Sequence, residues 1–197
     1  MNFDTRYLIR WGIPGWIFII FSSVYFLIRD FEGMKDLFPK GSGTSIVAAG
    51  AIITVLGIPI GYLFNQIHHT VTFVWFRKWD KYFKYETEFE NYMFTYKTLS
   101  KTDSNVGEKL QERYRYLLSR IHEIGSICFA IIYSQFINIY WEYTNKIKMN
   151  NFAWVFHIIV FIVLVIMFID RWYYKRNIEV FANFHSEKAG IKKYYKT

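Results

Sequence analysis

Ser134, Gln135, Asn138 and Glu142 stand at i, i+1, i+4 and i+8. At about 3.6 residues per turn, that spacing gathers them on one side of a helix. The chain around them is apolar, reading IGSICFAIIYSQFINIYW from Ile124 to Trp141. His157 lies in a second such block, about one turn inside its beginning at Phe152. Ionisable groups inside a bilayer are costly and turn towards a bundle interior or a water path. Asn138, Glu142 and His157 fall at similar depth. Two chemistries fit them. One is the wet lining of a pore with Glu142 and His157 at its mouth. The other is hydrogen-bonded glue between helices, worth about 1 kcal/mol per contact.

Constellations for catalysis are thinner. His68 and His69 are adjacent and point about 100° apart on a helix, whereas a metal needs converging ligands. The chain has no HExxH, GxSxG or Walker sequence. Arg115 and His122 stand seven apart, on one helical face, and fit an R-x(4–6)-H pattern. In a chain with 24 basic residues such a pair arises easily, and packing or head-group contact accounts for it. The reading is therefore non-enzymatic, with no cofactor and no metal. Cys128, alone, excludes an intramolecular disulfide.

The elements that must hold these residues follow from where the apolar residues collect. Hydrophobic residues are 53% of the 197 and aromatics 22%, which excludes a disordered chain. They fall into four blocks free of charged residues, at about 11–28, 44–64, 124–141 and 152–169. Roughly 20 helical residues cross about 30 Å of hydrocarbon, so each block is long enough. After the first block the chain reads Leu27-Ile28-Arg29-Asp30, without a small-x-small cleavage site, so that block reads as a retained helix. The expected fold is an all-α integral membrane protein with four transmembrane helices in a single polytopic domain.

Lys and Arg orient it. The N-terminus, the second connection and the C-terminal tail hold nineteen, and the other two connections hold five. Basic residues stay inside, which predicts both termini cytoplasmic in a cell inner membrane. Aromatic and basic residues flank the blocks, as at Trp172, Tyr173, Tyr174, Lys175 and Arg176, where they suit anionic head groups. In the second block, Gly57, Pro59 and Gly61 predict close helix approach and a kink.

The connection 65–123 is the largest polar piece. Apolar residues recur three or four apart at Phe76, Trp79, Phe83 and Phe89, then at Leu110, Tyr114 and Leu117. A turn cluster at 100–105 separates the two runs. This predicts a long cytoplasmic helical hairpin between helices 2 and 3, with those side chains packing its seam. Basic and aromatic residues alternate in FVWFRKWDKYFKY, but Glu86, Glu88 and Glu90 follow and would repel phosphates, so nucleic acid is not the expected partner. The tail 170–197 extends helix 4 to about His185, with Ile178, Phe181 and Phe184 on one face, and Gly190 interrupts it.

The chain resembles the small multipass membrane proteins that accompany RNA-targeting type VI-B CRISPR systems. What carries the likeness is length, several crossings, a helical cytoplasmic part, usage rich in Ile, Lys, Asn, Phe and Tyr, and the Arg115…His122 pair. One branch of that group has a degenerate HEPN-like element and is linked to oligomeric membrane pores. The resemblance implies a role in antiphage defence. The expected function is an oligomeric membrane protein that forms or gates a pore or perturbs the membrane. The alternative is a membrane-anchored module whose hairpin recruits a cytosolic protein or RNA. Four crossings enclose no wide channel alone, so conduction implies a homo-oligomer.

Overall fold

The computed structural model describes residues 5–30, 43–75, 84, 87–89, 91 and 104–188. Helix α1 spans Thr5–Arg29 and α2 spans Gly43–His69, followed directly by a π-helical stretch at Thr70–Trp75. Helix α3 spans Ser104–Thr144 and α4 spans Asn151–Lys188. Among the described residues, four helices are long and apolar enough to cross a membrane. They hold the four apolar blocks read from the sequence. Phe76, Trp79 and Phe83 of the expected hairpin lie outside the described residues.

Local sequence explains where these helices run and stop. Helix α2 continues through Pro59 without interruption. The uninterrupted helix expected beyond it winds instead as a π-helix, where four of six residues in TVTFVW are β-branched and poor α-formers. Helix α3 ends in a Schellman turn. The Ile147 amide donates to the Glu142 carbonyl (3.0 Å) and the Lys146 amide to the Tyr143 carbonyl (3.2 Å). Lys146 takes the left-handed conformation that glycine usually supplies, at φ 53°. Four residues later Asn150 caps α4, its Oδ1 accepting from the Ala153 amide at 2.9 Å.

The chain divides into two compact units. The first comprises Met1–Ile67 and Gly125–Phe168, the second His68–Ile124 and Ile169–Thr197.

The first unit buries polar residues among apolar ones and turns apolar residues outward. Ser126, Ser134, Asn138 and Glu142 are buried, while Val47, Val55, Phe152, Ile159 and Ile166 are exposed. Buried polar groups beneath an apolar exterior suit a hydrocarbon solvent. Glycines bring α1 and α2 together. A Cβ at Gly61 would meet the Trp11 carbonyl, one at Gly15 the Gly57 carbonyl, and one at Gly57 the Trp16 ring. Trp16 Nε1 donates to the Thr54 carbonyl at 3.1 Å, and Trp11 packs edge-on to Tyr62 at 5.4 Å between centroids.

The second unit has its own apolar core of Phe89, Tyr114, Leu117, Ile121, Ile178, Phe181 and Ala182, with Leu110 packed against it. The Phe89 and Tyr114 rings lie 4.9 Å apart. Phe89, Leu110, Tyr114 and Leu117, expected on the seam of a hairpin, gather at this core, and Ile178, Phe181 and Ala182 of α4 complete it. Phe184, expected on the face of Ile178 and Phe181, is 53% exposed. The buried positions are Ile178, Phe181 and Ala182, and Phe184 falls about 60° beyond Phe181, off the edge of the face they define.

Candidate functional site

The polar residues of α3 form a stripe inside the first unit. Ser126, Ser134, Asn138 and Glu142 are buried, as is Ala130 between the two serines. These positions recur every four residues. Each step overshoots a turn by about 40° and rises about 6 Å, so the stripe winds around α3 while covering about 24 Å. The winding explains why one stripe meets different helices.

At one end Ser126 Oγ donates to Asn65 Oδ1 of α2 at 2.9 Å. Two steps on, Ser22 Oγ of α1 donates to Ser134 Oγ at 3.0 Å. At the far end Arg29 Nε lies 2.6 Å from Glu142 Oε1, with both side chains almost fully buried. Arg29 Nη2 also donates to the Lys148 carbonyl at 2.9 Å, so the Schellman turn after α3 shapes this end of the site. The Tyr25 hydroxyl neighbours the same carboxylate.

Beside the stripe, His157 Nδ1 donates to Gln135 Oε1 at 2.5 Å, and the His157 ring lies 5.1 Å from that of Tyr25. Asn138 differs from its neighbours. It is fully buried, yet neither its amide nitrogen nor its amide oxygen has a hydrogen-bond partner.

All five polar residues expected on helices 3 and 4 therefore belong to one unit. Ser134, Asn138 and Glu142 share the buried stripe, and Gln135 turns towards His157. Their partners Ser22, Tyr25, Arg29, Asn65 and Ser126 were not expected. Arg29 counted as a charge of the first connection, but α1 extends through it and carries it to Glu142. Only the position of Ser126, eight residues before Ser134 with a small Ala130 between, hinted at the longer stripe.

The second unit brings three histidines together. The His69 and His122 rings stack at 5.4 Å, and the His68 ring meets His122 edge-on at 5.8 Å. Arg171 Nη2 lies 3.4 Å from His68 Nε2; a guanidinium only donates, so this contact places the His68 proton on Nδ1. Among the described residues no group of three or more His, Cys, Asp or Glu is placed to hold a metal ion. Arg115 is exposed on α3, while His122 contacts His68 and His69.

Comparison with known protein families, curated proteins and solved structures finds no match.

Proposed function

We propose that the chain is a non-enzymatic, multi-pass membrane protein that opens or gates a narrow path for ions through the membrane, using the buried stripe of α3. Asn138 carries this reading. A buried amide with no partner costs about 1–3 kcal/mol, and more in hydrocarbon. Such a group is retained where it serves a passing or bound polar species. The Ser22–Ser134 pair on one side and the Arg29–Glu142 pair on the other flank Asn138, making a run of polar groups about 12 Å long, part of the roughly 30 Å of hydrocarbon.

In this proposal the protein sits in the inner membrane with both termini cytoplasmic, and the hairpin and tail face anionic head groups. Copies associate through the exposed apolar faces of α2 and α4. The antiphage role implied by the resemblance is part of the same proposal, with opening as the damaging event. The second reading, an anchored module recruiting a cytosolic partner, is favoured by the separate core of the second unit.

Flux through purified protein in liposomes tests the first reading. Wild type is expected to pass monovalent ions, and Asn138→Leu to reduce the rate about tenfold. Deleting 83–118 separates the readings, because a path survives it and a recruiting module does not. Absence of flux under every condition, together with hairpin-dependent pull-down of a cytosolic protein, replaces the first reading with the second.

A further inference from the structure

The first unit carries a cleft of about 420 Å³ between α3 and α4. Its walls include Ile132 and Ile139 of α3 and Trp154, Ile158 and Leu164 of α4, with the Gln135–His157 pair also lining it. We infer that this cleft holds one acyl chain of a membrane phospholipid as a long-lived ligand. The inference rests on α3 and α4 crossing a bilayer and is independent of ion passage.

Three observations point to that occupant. The walls are hydrocarbon almost throughout, and the two polar side chains turn to each other, with His157 Nδ1 donating to Gln135 Oε1. Their remaining nitrogens are buried, so the cleft offers no exposed charge or donor to a polar ligand. The volume is that of a ligand pocket. The shape is that of a chain: about 15 Å along α4 from Trp154 to Leu164 and about 10 Å along α3 from Ile132 to Ile139. A helix from a second copy would need a seam along the whole crossing, because helices pack at axial distances of about 8–10 Å over several turns. Trp154, near the start of α4, suits the level of the glycerol and head group.

Native mass spectrometry of the full chain, released from nanodiscs of phosphatidylethanolamine and phosphatidylglycerol, tests this. Wild type is expected to keep one phospholipid mass per protomer after the bulk lipid is stripped. Ile158→Trp and Leu164→Trp fill the cleft and are expected to lower that retention about tenfold. Ile159→Trp, as exposed as Ile158 but outside the cleft lining, is expected to keep it. No retained lipid in wild type, equal retention in all variants, or loss of an oligomer in place of a lipid overturns the inference. Should the cleft variants misfold, wild type in vesicles containing a diazirine-labelled acyl chain replaces them. Labelling concentrated on Ile132, Ile139, Ile158 and Leu164 supports the site, and even labelling of the outer faces of α4 overturns it.

Discussion

The Arg29 guanidinium closes on the Glu142 carboxylate with Nε 2.6 Å from Oε1, joining the end of α1 to the end of α3. Both side chains are almost fully buried, so neither charge has water to fall back on. Removing one partner strands the other, whereas removing both restores an apolar contact. Glu142→Gln is expected to destabilise the protein by about 3–5 kcal/mol. Arg29→Met combined with Glu142→Leu is expected to recover most of that loss. Unfolding of wild type, Arg29→Met, Glu142→Leu and their double variant in detergent, read as a double-mutant cycle, measures the coupling; additive single effects would show that the pair does not act as one.

Asn138 predicts a divergence between stability and function. Replacing an unpartnered buried amide by an apolar group of similar size removes a desolvation cost of about 1–3 kcal/mol. Asn138→Leu is therefore expected to unfold at a higher temperature than wild type while losing flux. A variant that is less stable would mean that the amide has a partner it needs.

The glycines of the α1–α2 contact differ sharply from Gly50. A Cβ at Gly61 meets backbone, and backbone cannot step aside. A Cβ at Gly50 meets nothing within 4 Å. Gly61→Ala is expected to cost more than about 2 kcal/mol, and Gly50→Ala to stabilise by about 0.5–1 kcal/mol through backbone entropy. Thermal unfolding of the two variants side by side checks the contrast.

Lys146 holds a left-handed conformation to close the turn after α3. Glycine adopts it without the side-chain penalty of about 1–2 kcal/mol. Lys146→Gly is expected to raise stability by up to about 1 kcal/mol, part of the gain being offset by unfolded-chain entropy. Lys146→Val is expected to lower it. Denaturant midpoints measure both.

In the second unit, Leu117 is buried in the core and Phe184 is half exposed. Leu117→Ala is expected to cost about 2–5 kcal/mol and Phe184→Ala less than about 0.5 kcal/mol. Amide hydrogen exchange across 108–124 reads the difference locally.

Much of this arrangement could be read in advance, and the limit has a physical form. Patterns confined to one helix were visible: the apolar blocks, the α3 polar spacing, and the period joining Leu110, Tyr114 and Leu117. Partners across helices were not. Nothing near Arg29 in sequence announces Glu142, and an arginine at the edge of an apolar block reads equally well as a loop charge. The histidines show the same limit. His68 and His69 diverge by about 100° on their helix, yet the His122 ring is broad enough to meet one edge-on and the other flat. The π-helical winding at Thr70–Trp75 went unforeseen because the absence of Pro and Gly signals helix without specifying its pitch.

The Arg29–Glu142 pair also sets an order of events at the ribosome. Arg29 is synthesised more than a hundred residues before Glu142. At about 5–20 residues per second the nascent chain carries an unmatched cation for roughly 6–23 seconds. During that interval the end of α1 has to remain hydrated at the bilayer surface or inside the insertion machinery. The first helix to emerge is thus among the last to settle, and α3 is the element that completes its insertion.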